Sequence, residues 1–280
     1  MGRRLRPAAM EGQAHPIRIS RHLTVQMKRV LFSSPQLAVS VCSYAPSERH
    51  SRHADAFSRI SFVIRGGYRE EGRDGPVAMR PGDVLLKSRR AFHEDEFGAA
   101  GATLVALEFL ADDPFDAPGA KELWRRRGDG FALRHATAFL SAALERDVEG
   151  ASTAGADLVS ACLDENGRRA SPPAWIKRLK LELEERSLAE VSVSLCAEQA
   201  GVHPAHASRL FRQCYGQSVT DYAQAQSVRR ALSPLAQRTM SLSEVALAAG
   251  FYDQSHMTRV FRRVIGRTPS QQRALLAAAC

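Results

Sequence analysis

From Leu37 to Phe109 the apolar residues come in short runs broken by glycine and proline. The runs are LAVSVCSY (37–44), RISFVIR (59–65), DVLLK (83–87) and ATLVALEFL (102–110). Arg65-Gly66-Gly67, Gly72–Pro76, Pro81-Gly82-Asp83 and Gly98–Gly101 separate them. Short strand-length runs between turn residues predict an antiparallel sandwich or barrel. Beyond Pro118 the period becomes helical. Phe131–Val148 and Ala156–Leu163 are predicted as two amphipathic helices joined by the small-residue stretch Gly150–Gly155. Glu165–Pro173 combines charge, an Asn-Gly pair and two prolines, and is predicted as a linker. All that follows is helical in pattern. The expected fold class is α+β multidomain. A loose leader (1–30) precedes a β-barrel (31–118), a helical linker or dimerisation segment (119–171) and an all-α part (172–280) that holds two helix-turn-helix motifs.

The all-α part contains an internal repeat. AGVHPAHASRLFRQCYGQS (200–218) aligns with AGFYDQSHMTRVFRRVIGRT (249–268), which has one extra residue after its Ala-Gly. His206, Arg209, Phe211, Arg212 and Gly216 match His256, Arg259, Phe261, Arg262 and Gly266. Each copy is built as a helix-turn-helix. Ser192 can cap the first helix of one copy, and Ser241-Leu242-Ser243-Glu244 is a capping box for the other. Gly201 and Gly250 supply a turn with positive φ. Pro204 at N1 and Asp253 at a cap then start the second helices, and Gly216 and Gly266 end them.

The faces of these second helices separate. Leu210 and Phe211, like Met257, Val260 and Phe261, fall on an inward stripe. Ala205, Ser208, Arg209 and Arg212 share the other side, as do Gln254, Ser255, Thr258, Arg259 and Arg262. Arginine can pair bidentately with guanine and glutamine with adenine, while outer members reach phosphates. A plain helical bundle with a basic face accounts for one such segment. It does not account for two copies with the same arginine on the same face. The intervening helix, predicted over Ser218–Leu235, spans roughly 26 Å at ~1.5 Å per residue. That suits recognition helices in major-groove segments about one DNA turn, ~34 Å, apart.

SVSLCAEQAGVHPAHASRLFRQCYG and SLSEVALAAGFYDQSHMTRVFRRVIGRTPSQ resemble the two halves of the AraC/XylS-type DNA-binding domain, over about 174–273. The resemblance implies a bacterial transcription regulator in which the second helix of each motif enters the major groove. It implies base-reading positions at Ala205, Ser208 and Arg209, then at Gln254, Ser255, Thr258 and Arg259. His206, Arg212 and Arg262 fall on or beside backbone-facing positions. Five residues depart from the pattern. His203 replaces a serine cap, Ala207 a core leucine, Ser227 an arginine and Gln272 a tyrosine, and Pro234 is expected to stop or kink the connecting helix. The first half is therefore the softer one. ERHSRHADAFSRISFVIRGGYREEG and AMRPGDVLLKSRRAFHEDEFG are similar, more loosely, to the cupin-like sensor of the same family, over roughly 37–110.

Charge supports a polyanionic partner. The formal net charge is +9, and residues 172–280 carry 14 basic against 8 acidic side chains. With 44% hydrophobic and 25% charged residues the composition is ordinary for a globular protein. No apolar run approaches the ~18 residues of a membrane span, and Met1–Ser20 lacks the apolar core of a secretory signal. Five scattered cysteines with no CxxC pair fit a reducing cytoplasm.

No GxSxG, P-loop, HExxH or GxGxxG stands between suitable elements, so no enzyme is expected. In the barrel, His50, His53, Asp55 and His93 are of metal-ligating type. The usual His-x-His has become His53-Ala54-Asp55, however, and no later carboxylate suggests itself, so neither metal nor cofactor is expected. His53, Phe57, Phe62, Phe92 and His93 are candidates for an effector pocket, although packing and hydrogen bonding explain them equally well. The expected partners are double-stranded DNA, a small-molecule effector, RNA polymerase and a second copy of the chain, with no membrane.

Overall fold

In the computed structural model the described residues are 27–73, 75–111, 113, 115, 124–163, 172–186 and 190–279. Most of the expected leader, and linker residues 164–171, lie outside them. Eight strands come first: β1 (Met27–Ser33), β2 (Leu37–Tyr44), β3 (Arg49–His53), β4 (Arg59–Gly72), β5 (Gly75–Met79), β6 (Val84–Lys87), β7 (His93–Phe109) and β8 (Trp124–Arg127). They form one antiparallel sheet in the order β1-β2-β7-β4-β6-β8, with β3 added to β7 and β5 to β4.

The two long strands make this sheet fold over on itself. The second half of β7 pairs with β2 and the first half of β4, while its first half pairs with β3 and the far end of β4. Register shifts at Val63/Arg65 and Gly66/Tyr68 mark the bend. Gly66 (φ +67°) meets Gly101 (φ +65°) there, and a Cβ on Gly66 would lie 2.0 Å from the Gly101 carbonyl oxygen. Only glycine fits so close a backbone approach. Inside the fold lie Cys42, Tyr44, Val63, Tyr68, Met79, Leu85, Phe97, Leu104 and Ala106.

Nine helices follow among the described residues: α1 (Gly130–Glu145), α2 (Val148–Leu163), α3 (Ala174–Glu185), α4 (Val193–Gln199), α5 (Pro204–Tyr215), α6 (Val219–Gln237), α7 (Leu242–Ala248), α8 (Gln254–Ile265) and α9 (Pro269–Ala279). Four expectations need correction. The leader ends sooner, because β1 starts at Met27 and hydrogen-bonds to β2. The segment 119–171 is not all helical, because β8 pairs with β6 at its start. Gly150–Gly155 is not a connector but part of α2. Ala151, Gly155, Leu158 and Cys162 form its buried stripe, and Gly155 packs beside Phe139 of α1 and Leu107 of β7. Pro234 does not stop α6, which runs on to Gln237. Proline forfeits one helical hydrogen bond, and α6 keeps Ala231, Leu232 and Leu235 fully buried.

The cores show how the halves meet. One continuous core joins the outer face of the folded sheet (Val39, Ile60, Phe62, Val84, Leu107) to Leu133 and Leu140 of α1 and to Leu232 of α6. It continues into Val245, Met257, Phe261 and Leu276 of the last three helices. Ile176, Leu179, Leu183, Phe211, Cys214 and Tyr222, from α3, α5 and α6, form a separate core. The second helix-turn-helix is thus packed into the N-terminal half, while the first is a satellite on α6.

Candidate nucleic-acid interface

Both motifs fold by the local rules their sequences carry. The Ser192 hydroxyl accepts the Leu195 N–H at the start of α4. At α7 the Ser241 hydroxyl accepts the Glu244 N–H, and the Glu244 carboxylate accepts the Ser241 N–H at 2.7 Å. Hydrogen bonding to the Ser241 side chain and backbone N–H holds the Glu244 carboxyl below its usual pKa. Gly201 and Gly250 have φ of +67° and +80°, and Gly216 and Gly266 end α5 and α8 at +72° and +74°. Asp253 caps α8 by accepting the His256 N–H at 2.6 Å. His203, expected to be a poor cap, nonetheless caps α5: its Nδ1 accepts the Ala205 N–H at 3.2 Å.

Sidedness follows. Ala207 and Phe211 of α5, and Met257 and Phe261 of α8, are fully buried. Ala205, His206, Ser208, Arg209 and Arg212 are exposed on α5, as are Gln254, Ser255, Arg259 and Arg262 on α8, with Thr258 half-buried between them. The structure therefore brings the ten candidates to the open sides of two corresponding helices. Gln254 is held from α7, its Oε1 accepting the Ser243 hydroxyl at 2.9 Å, and the Thr258 hydroxyl donates to the Gln254 carbonyl. His256 points elsewhere: its Nδ1 accepts the Tyr252 N–H and its ring stands edge-on to Phe251. The matched histidines thus differ, with His206 exposed and His256 tied into its own turn.

These geometries decide the C-terminal part. Residues 196–274 match the model of a helix-turn-helix domain. They form a helix-turn-helix domain. The chain is 36% identical over 77 residues to the HTH-type transcriptional regulator GlxA of Rhizobium meliloti, covering 28% of this chain and 24% of that protein. It is 33% identical over 82 residues to the arabinose operon regulatory protein of Escherichia coli, covering 29% and 28%. The chain thus spans only about a quarter of these two relatives. The HTH-type transcriptional activator RhaR of Klebsiella pneumoniae aligns more widely, at 26% identity over 281 residues, 88% of this chain and 95% of that protein.

The helix-turn-helix domain is bound to α1 and to the folded sheet. Arg134 of α1 donates to the carbonyls of Arg263 and Val264 at the end of α8. Arg29 of β1 reaches the Ala278 and Ala279 carbonyls at the end of α9, at 2.8 and 2.6 Å. Cations on the last carbonyls of a helix also complement its dipole. Asp83, fully buried, receives Arg229 of α6 at 2.5 Å and Arg126 of β8 at 3.1 Å. Gln226 of α6 donates to the Gly128 carbonyl. Sequence reasoning assigned the helices of 119–171 to a linker or dimer contact and missed these bonds, all but one of which (Arg126 with Asp83) join positions more than 90 residues apart.

The five effector-pocket candidates are not brought together. Phe62 is a correction: it lies in the outer core against the helices, because alternation along β4 sends Ile60, Phe62 and Ile64 outward and Val63 inward. Phe57 is exposed, and Phe92 is half-buried under the Arg52 guanidinium. His53 and His93 do meet, with ring centroids 4.3 Å apart, inside a buried ionic cluster. Asp95 and Glu70, which no spacing rule singled out, belong to that cluster. Burial, the Asp95 bond and its neighbours set the histidines apart. His50 is raised, chiefly by its bond to Asp95, whereas burial lowers His53 and takes His93 down to about 3.

Proposed function

We propose that the protein is a sequence-specific DNA-binding transcription regulator controlled through its N-terminal barrel, by a small effector or by dimerisation. One observation carries this reading: two corresponding helices, each capped at its start and buried along its inner side, present arginines at matched positions on open faces. Arg209 and Arg259 read base edges in successive major-groove segments, aided by Ser208, Gln254, Ser255 and Thr258, with Ala205 adding little. His206, Arg212 and Arg262 face phosphates. α6, with 19 residues, is roughly 28 Å long at ~1.5 Å per residue, comparable with one ~34 Å turn of DNA.

The better-packed second motif dominates sequence reading. Affinity comes largely from phosphate contacts and counterion release, and so falls with salt. The working form is a cytoplasmic homodimer that meets RNA polymerase at its promoters, and the barrel is not an enzyme. Among the described residues no helix is long and apolar enough to cross a membrane. The test is selection of bound fragments from random DNA. A defined sequence retained against excess bulk DNA supports the proposal, and retention of bulk DNA alone overturns it.

A further inference from the structure

The buried ionic cluster of the barrel plays no part in the reading above. Its two closest histidines are oriented identically. His53 Nδ1 donates to the Ser51 carbonyl and His93 Nδ1 to the Ala91 carbonyl, both at 2.8 Å. Each ring N–H is thereby committed to a backbone carbonyl two residues earlier, and each Nε2 lone pair is left to face inward. His93 Nε2 is 3.8 Å from both Asp55 Oδ2 and Asp95 Oδ2, and His53 Nε2 is 3.8 Å from Asp95 Oδ2. The donor atoms of His53, Asp55 and His93 lie within 4.8 Å of one another, as do those of Glu70, His93 and Asp95. Two neutral imidazoles with carboxylates, their tautomers fixed by outer N–H···O=C bonds, form the donor set of a divalent transition metal.

A metal does not fit, because a cation is already there. Lys87, the last residue of β6, is fully buried. Its Nζ lies 2.7 Å from His93 Nε2, 3.1 Å from Glu70 Oε2 and 3.3 Å from Asp55 Oδ2. An ammonium has three N–H donors, and these are three acceptors. An incoming metal ion would compete for the His93 lone pair and displace a fully buried charged group from its three acceptors, which is costly.

We infer that the ammonium of Lys87 takes the place of a metal ion in this barrel, and that this one side chain keeps a divalent-metal donor set metal-free. Around it, the carboxylates of Asp55, Glu70 and Asp95 stand against Lys87 and Arg59. Taking away Lys87 leaves the same donors with one buried cation fewer, a deficit that a divalent ion can fill. Lys87→Ala then becomes a metal-binding protein through His53, Asp55 and His93, with Glu70 or Asp95 beside them.

The test uses the full chain, freed of any affinity tag and of metal, as wild type, Lys87→Ala and Lys87→Met. Each is titrated with Co²⁺, followed by visible absorption, and with Zn²⁺, followed by calorimetry and elemental analysis. The expected result is no stoichiometric uptake by wild type and one equivalent bound by the variants. Their melting temperatures should rise with metal concentration, and the uptake should be lost when His53→Ala and His93→Ala are added. One equivalent bound by wild type overturns the inference. So does a folded variant that takes up no metal. A variant that folds only when refolded with Co²⁺ supports it, and failure of both variants to fold with metal present overturns it.

Discussion

Asp83, in the turn before β6, accepts a hydrogen bond at 2.5 Å from Arg229 of α6, 146 residues further on. The carboxylate is fully buried and is shared with Arg126. It ties the folded sheet to the helix that joins the two helix-turn-helix motifs. Asp83→Asn keeps the shape and removes the charge, leaving Arg229 buried without its counter-ion. We expect a loss of about 3–5 kcal/mol in stability, as for a broken buried pair. Denaturant unfolding checks this. Arg229→Met in the same background should cost far less than it does alone, and fully additive losses would show that the two groups do not act as a pair.

The two arginines of α8 are expected to behave differently. Arg259→Ala should cost about 1–3 kcal/mol in binding and relax preference at one base position. Arg262→Ala should weaken specific and nonspecific DNA alike and flatten the salt dependence by one phosphate contact. Binding measured on a selected site and on its single-base variants, over a range of salt, separates the two roles.

Gln272 in α9 is fully buried, and neither its Nε2 nor its Oε1 has a hydrogen-bond partner. An unmet buried amide costs on the order of 1–3 kcal/mol. Gln272→Leu, of similar volume, should therefore raise stability by about 1 kcal/mol or more, seen as a higher melting temperature. DNA binding should stay unchanged, because the side chain is interior.

The ionic cluster sets the response to acid. Burial, together with neighbouring Lys87, lowers His93 from 6.5 to about 3. Burial alone would raise the carboxyls of Asp55 and Asp95. Arg59 and Lys87 outweigh it at Asp55, and the His50 bond and Lys87 outweigh it at Asp95, so both are held well below the usual range. A depressed pKa in the folded state gives stability that is full above the unfolded pKa and is lost as pH falls. Stability should thus decline from pH ~6.5 downward, by up to about 1.4 kcal/mol per pH unit for His93 alone. The aspartates steepen the decline below about pH 4. His50, which is raised, acts oppositely, its contribution fading as pH climbs above 6.5. Unfolding free energies measured from pH 8 to 4 check the sign.

The helix-turn-helix pair was legible in the sequence because its rules are local. A cap, a turn glycine and an inward stripe lie within a dozen residues of one another, and the repeat states them twice. Four strands were legible for the same reason, as β2, β6 and the apolar halves of β4 and β7; β1, β3 and β5 were not, and Arg65–Gly67 and Gly98–Gly101, read as separators, lie inside β4 and β7. Pairing across the chain was not. β8 carries no apolar alternation, and it is a strand only because β6 offers it an edge. Gly150–Gly155 has the composition of a connector but forms a helix face against Phe139. Asp83 meets Arg229 through packing of segments 146 residues apart, and Lys87 meets Glu70 and His93 because three strands fold around one interior. No spacing rule links those positions.

The central claim is that α5 and α8 enter successive major-groove segments of one duplex. The most direct measurement is a base-by-base substitution scan of a selected site, repeated with Arg209→Ala and Arg259→Ala. The account predicts two blocks of sensitive bases centred about 10–10.5 base pairs apart, with each variant silencing one block and sparing the other. A single block, or one lost equally in both variants, would contradict it.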